Sequence, residues 1–416
     1  MPRPRAPYLA LHHRDFRRLW AAQLLSLVGS QMQVAAIHWH VYLLSHSPLA
    51  LGGVGLTRVL PIVLFSLWGG LVADRYDRRR VMFVSQLALT AVAAALTALT
   101  LLGHDSLWAI YALSCAGAAA SAFDNPARQA LVPRLVPRED LAGALSLNLA
   151  AFHLAMIGGP AIAGLLIATS ALSWIYALNA LSFLGVLASL AWMHPERGAR
   201  RPGREPSSPG RELGAGLRFV FATPLMVWTM LLDFLATFFS GAMTLLPIFA
   251  DQLLHVGSRG YGVLVGAPAL GALAGSLYTA LAPLPRRQGR WLLVAVAIYG
   301  ATTIVYGLSR SAVLTFLALA VGGLGDFVST VIRQTLRQWI TPDELRGRMT
   351  SIHAIFFMGG PQLGELEAGV VASLFASSTT GSIVAVVSGG LATLAVVMVV
   401  AWVTPVVREY ELGDDG

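Results

Sequence analysis

Two aspartates stand where a carboxylate is costly. Asp233 lies near the middle of the apolar run 218–250, and Asp326 near the middle of 312–338. A charge at bilayer depth costs at least ~2.5–3.5 kcal/mol, so each acid needs a partner or a water-filled cavity. Such an acid can bind a proton, because desolvation disfavours the charged form. It can equally meet a cationic ligand or be neutralised by a nearby arginine. Three more charges share this predicament: Arg58 in the run 49–73, and Glu365 and Glu367 in 344–375. His153 and His353 lie five and six residues before two Gly-Gly-Pro turns. Histidine titrates near neutral pH, so a proton role and a packed, satisfied ring are both open.

Other charges crowd the ends of these runs. Gly69–Arg80 reads GGLVADRYDRRR, with six charges in the seven residues from Asp74. Gly69 and Gly70 let helices approach closely, as small residues do in membranes. Asp74 can face a helix N-terminus, where the dipole is positive, or pair with an arginine such as Arg128. Arg75, Arg78, Arg79 and Arg80 serve at least to set topology. Asp124 and Arg128 have i,i+4 spacing, which predicts a helical ion pair. Gly158-Gly159-Pro160 and Gly359-Gly360-Pro361 predict bent helices, with glycines in close contact with the opposite half of the chain. His38 and His40 flank Trp39 near the outer end of the first run, where interfacial anchors belong.

The elements that must position these residues are membrane helices. Hydrophobic residues make up 56% of the chain and charged ones 12%, against roughly 25% charged in soluble domains. Runs long enough to cross a bilayer recur throughout. Their spacing predicts an all-α membrane protein of twelve spans: 18–44, 49–73, 80–102, 107–132, 139–169 and 171–193, then 218–250, 259–283, 289–308, 312–338, 344–375 and 380–404. The first run is too long for a signal-peptide core and reads as a retained helix. Residues 1–193 and 218–404 form two six-helix bundles. Between them, 194–217 is a solvated linker rich in Pro, Gly, Ser and Arg, and 405–416 is a short acidic tail. All 29 basic residues are arginine, and 26 fall on one face of this topology. The positive-inside rule makes that face cytoplasmic, with both termini on it. The same placement, in short loops rather than one basic patch, argues against nucleic acid. Cys115 is the lone cysteine and rules out an intrachain disulfide.

The two bundles repeat one another. RQALVPRLVPREDLAG at Arg128–Gly143 matches RQTLRQWITPDELRG at Arg333–Gly347, the Gly-Gly-Pro turns recur, and Pro61 corresponds to Pro268. Duplicated six-helix halves with a binding site between them form a transporter architecture. The loop Gly70-x-x-x-Asp74-Arg75-x-Asp77-Arg78-Arg79-Arg80 resembles the signature of the major facilitator superfamily, which usually has glycine where this chain has Asp77. FDNPAR at Phe123–Arg128, LPIFA at Leu246–Ala250, Gly262–Gly275 and GGPQLGELEAG at Gly359–Gly369 are similar to the branch of enterobactin exporters and macrolide-efflux-like proteins. The resemblance implies that Asp74 latches the halves on the cytoplasmic side. It also implies that spans two and eleven meet, so that Arg58 with Glu365 or Glu367 forms an outer gate or a permanent structural pair. Spans seven and ten would line a central cavity.

These readings converge on an inner-membrane exporter of a small amphipathic molecule (a siderophore, an antibiotic or another metabolite) working by alternating access and proton antiport, as a monomer. No phosphate loop, nucleotide-binding domain or metal-ligand spacing is present, so neither an enzyme nor a bound cofactor is expected. The alternatives are an importer or facilitator of the same fold, and a non-transporting membrane subunit or sensor.

Overall fold

The computed structural model describes residues 7–169, 171–193, 218–281, 286–341 and 346–411. The side chains of 7, 66, 67, 70, 71, 73, 74, 280 and 346–358 are outside that description. Twelve long helices follow in chain order. The first six are α1 (Arg14–Ser45), α2 (Pro48–Arg75), α3 (Arg78–Leu101), α4 (Leu107–Leu135), α5 (Leu141–Thr169) and α6 (Leu172–Trp192). The last six are α7 (Pro224–Phe239), α8 (Gly257–Leu281), α9 (Gln288–Leu308), α10 (Ala312–Ile340), α11 (Arg346–Ser373) and α12 (Ser378–Val403). Among the described residues, ten helical stretches are long and apolar enough to cross a membrane. α1 completes the pattern despite Gln23, Gln31 and Gln33, which dilute its hydropathy, and α11 does so with half its side chains undescribed.

The outward surface fits a hydrocarbon solvent. Leu64, Leu87, Leu165, Leu181 and Leu314 are exposed on helix faces. Exposed tryptophans cluster at helix ends: Trp108 opens α4, Trp192 closes α6 and Trp402 lies near the end of α12. Aromatic rings at span ends are the mark of a membrane interface. The protein is multi-pass.

The duplication read from the sequence is also a duplication of packing. α1 packs on α5 and α6, and α3 on α4 and α6; α7 packs on α11 and α12, and α9 on α10 and α12. The chain divides into two compact units. One is 1–45 with 57–201 and 257–266; the other is 46–56 with 202–256 and 267–416. Each therefore contains a short stretch of α2 or α8 alongside helices from the other half of the sequence.

Those short stretches are seated by glycine. Within the first unit, a Cβ on Gly262 would stand 2.6 Å from the Cα of Gly164 on α5. Within the second, a Cβ on Gly52 would stand 2.9 Å from the Cα of Gly369 on α11. Both crossings are backbone on backbone, and only a residue without a side chain permits them.

Span seven departs from the continuous helix expected over 218–250. α7 stops at Phe239, a 3₁₀ turn runs Ala242–Leu245, and a π turn runs Phe249–Leu253. The break at Ser240-Gly241 is packed tightly. Gly364 of α11 lies against the Phe238 carbonyl and Gly389 of α12 against that of Phe239, at 2.3 and 1.9 Å from an ideal Cβ. The hydroxyls of Ser240 and Thr393 are 2.8 Å apart. Irregular backbone at this depth survives only where neighbours satisfy it.

Candidate functional site

The most conspicuous polar arrangement joins α7 and α10. Asp233 sits in the third turn of α7 and is buried, and Arg333 lies near the end of α10. Arg333 Nη2 meets Asp233 Oδ1 at 2.7 Å, with side chains only 7% and 4% exposed. Arg333 also donates to Thr330 Oγ1 at 3.0 Å, one turn back on its own helix. Arg337 lies within electrostatic range of Asp233. Asp326, two turns before Arg333, feels both Arg333 and Asp233. The structure thus gathers both intramembrane aspartates into one network, and adds the arginine that the sequence had flagged only as part of the repeat.

The repeat supplies a control. Arg128, the counterpart of Arg333, also reaches the first helix of its own half, but there it donates to the neutral Gln23 Oε1 at 3.2 Å. It donates as well to Asn125. The same cross-helix contact is therefore ionic in one half and neutral in the other. Protonation could break only the first.

Asp124 corrects the expected i,i+4 pair. It is buried, and its Oδ1 accepts from Gln86 Nε2 of α3 at 2.9 Å. Arg128 remains in electrostatic range without a bond to it. The better-placed amides of Gln23 and Asn125 draw the guanidinium away from the carboxylate.

The opening motif resolves into separate tasks. Asp77 is the N-cap of α3, accepting from the Arg80 backbone N–H at 2.9 Å. An acid in place of the usual glycine thus satisfies a helix end. Arg79 donates to the Ala191 carbonyl at 3.0 Å, fastening α3 to the last turn of α6. Arg75 and Arg80 are exposed and Arg78 half-buried. Gly69 backs onto the Ala122 carbonyl of α4, 2.2 Å from an ideal Cβ. The side chain of Asp74, together with Gly70 and His353, lies outside the described residues.

The Gly-Gly-Pro turns sit inside helices that continue through Pro160 and Pro361. The second glycine of each pair packs within its own half, while the Pro160 carbonyl lies 2.6 Å from an ideal Cβ on Gly262 of α8. A Cβ on Gly159 would lie 2.5 Å from Gln31 of α1, and one on Gly360 would lie 2.4 Å from Thr237 of α7. Among the described residues, nothing lies within 4 Å of an added Cβ on Gly158 or Gly359. The second glycine of each pair is the one that packs, since it points at the neighbouring first helix of its bundle. His153 is half-buried, and its ring lies edge-on to Phe152 at 5.9 Å.

Of the expected outer cluster, Arg58, Glu365 and Glu367 are all half-buried. Glu365 lies over Gly55, whose ideal Cβ would stand 3.0 Å from its Oε2. Glu367 Oε2 is buried without a hydrogen-bond partner among the described residues. One further cluster escaped sequence reasoning. His40 is 2% exposed, not an interfacial anchor. Its Nε2 meets Asp105 Oδ2 at 2.7 Å and its Nδ1 the Tyr176 hydroxyl at 3.0 Å. His38 is buried as well, bonded to the Val34 carbonyl at 2.9 Å.

Known proteins resemble this chain over nearly its whole length. A family model described as transmembrane secretion effector matches residues 5–412. Enterobactin exporter EntS of Shigella boydii is 28% identical over 374 residues, covering 89% of this chain and 88% of the relative. EntS of Escherichia coli O1:K1 is 29% identical over 376 residues, with the same coverage. Among solved structures, the nucleoside transporter NupG superposes with a TM-score of 0.71 at 14% identity, covering 92% of this chain and 98% of that one. A bacterial homologue of the human lysosomal transporter Spinster gives 0.68 at 14% identity, covering 95% of each. At such identities these structures establish the fold alone.

Proposed function

The chain belongs to the transmembrane secretion effector family of major facilitator transporters, and we propose that it exports a small amphipathic organic molecule in exchange for protons. The family and the enterobactin exporters that resemble it support outward transport of a metabolite such as a siderophore. The observation that carries proton coupling is the buried Asp233–Arg333 pair at 2.7 Å, set against its neutral counterpart Arg128–Gln23. A proton arriving on Asp233 removes the charge that holds Arg333. Taken up from the outer side, the proton frees α7 and α10 to shift as cargo leaves, and the protonated carrier returns inward. Loss of that proton to the cytoplasm then restores the Asp233–Arg333 pair and readies the site for new cargo. Breaking a buried pair on one side only costs roughly 3–5 kcal/mol, enough to bias a two-state equilibrium by about a hundredfold to several thousandfold.

In this reading the arginine-rich face is cytoplasmic in the bacterial inner membrane, and the transporter works as a monomer. Asp74 acts as the cytoplasmic latch. Arg58 with Glu365 or Glu367 closes the outer side. Metabolite profiling of a deletion strain tests the exporter reading. The expected result is one compound depleted from the medium and accumulated in the cells relative to the parent. Unchanged distribution of every metabolite across medium and cells, under conditions where the chain is produced, would refute export.

A further inference from the structure

The first turns of α3 and α9 hold equivalent places in the repeat but are finished differently. Met82 and Leu292, both fully buried, stand at the same position in the two helices. α3 is capped from within its own loop by Asp77, and Arg79 ties it to α6. The N-cap position of α9 is Arg287, which makes no side-chain cap bond. A guanidinium carries only donors, so it cannot receive the open N–H groups of a helix start. Another segment must supply an acceptor.

The acidic tail supplies it. Beyond α12 the chain makes a single helical turn, Pro405–Arg408, which packs against α7, α9 and α12 of its own unit. Three fastenings hold the residues that follow. The Gly289 backbone N–H of α9 donates to the Tyr410 carbonyl at 3.1 Å. Arg287 Nε meets Glu411 Oε1 at 3.0 Å. Val407 is 1% exposed, and with Tyr410 it joins the apolar cluster that holds Leu225, Leu292 and Leu336. An added Cβ on Gly289 would run into the Val407 carbonyl oxygen, so the tail lies where glycine admits it. The ion pair is exposed, with side chains 62% and 40% accessible, and such pairs hold little. Burial of Val407 is the stronger anchor.

The same cluster takes in Leu232 of α7 and Ile332 of α10, the sequence neighbours of Asp233 and Arg333. The tail is therefore part of the apolar block that these two helices must loosen if their buried pair is to part. Gln288 marks a cost of the docked arrangement. It is wholly buried beside Gly289, and neither of its amide atoms is bonded among the described residues. A buried amide without partners is unfavourable, and lifting the tail would admit water to it. We propose that residues 405–411 form a strap that caps α9 and restrains the parting of α7 and α10. The restraint on transport rests on the exporter reading, whereas the strap itself is tested without cargo.

The experiment is amide hydrogen exchange on purified full-length protein in detergent, comparing wild type with Gly289→Ala and Val407→Ser. The first variant pushes a methyl group into the strap from α9 and leaves the tail sequence intact. The second removes the anchor from the tail side. Both should speed exchange over 288–294 by about tenfold or more, as expected when a locally docked segment is released. Exchange over 224–232 of α7 and 333–340 of α10 should rise with it. Residues 79–84 of α3, capped by Asp77, should keep their wild-type protection, which separates release of the strap from general unfolding. Wild-type exchange over 288–294 in both variants would show that the tail does not close α9. Faster exchange there with α7 and α10 unchanged would show a cap without restraint. Either result overturns the proposal. Release as expected, in a chain whose deletion moves no metabolite, would uphold the strap and refute the exporter reading alone.

Discussion

Replacing Arg333 by Gln strands two acids near one another, because Asp233 loses its paired cation and Asp326 a cation in its range. The expected cost is roughly 3–5 kcal/mol, read as a large drop in thermal stability of the detergent-solubilised protein. Arg128→Gln strands no carboxylate of comparable dependence, since Asp124 keeps its Gln86 bond. Its cost should be about 1–2 kcal/mol, and equal losses for the two variants would show that the ionic and neutral contacts are equivalent. The opening motif divides in the same way. Asp77→Ala removes an N-cap worth about 1 kcal/mol and should leave transport near normal. Asp74→Asn should insert normally and transport poorly. Vesicle flux with both variants checks this, and normal flux in Asp74→Asn would reduce that residue to a spacer.

At the scale of elements, the glycine crossings make a sharper demand than any single charge. Gly262→Val drives a side chain into the backbone of α5, whose Gly164 Cα is 2.6 Å from the new Cβ. Overpacking of this kind costs about 1–3 kcal/mol. The variant should reach the membrane yet lose most transport, as measured by flux normalised to protein in the membrane; full activity would show that the crossing is dispensable. Twelve spans were legible because hydropathy and the arginine count act locally along the chain. The repeat was legible because Arg128 and Arg333 anchor matching strings. The interruption of α7 was not, since Ser240–Ile248 reads as an unbroken apolar stretch with only Gly241 and Pro247 as punctuation. Its cause lies in Gly364 and Gly389, more than a hundred residues away. The partners of Asp233 and His40 were hidden for the same reason: no local pattern links α7 to α10, or α1 to Asp105 and Tyr176.

For the whole molecule, the account rests on an asymmetry within a symmetric fold. Two bundles share packing, Gly-Gly-Pro turns and an arginine at the same place, yet only the second gives that arginine an ionisable partner on its first helix. Asp233→Asn isolates that difference, because the amide imitates the protonated carboxyl and preserves its shape. The decisive measurement pairs counterflow with proton-gradient-driven transport, using the metabolite identified by profiling, in one set of proteoliposomes for wild type and Asp233→Asn. Wild type should perform both, while the variant should retain counterflow and lose accumulation against a gradient. Gradient-driven accumulation by Asp233→Asn at the wild-type level would contradict the central claim.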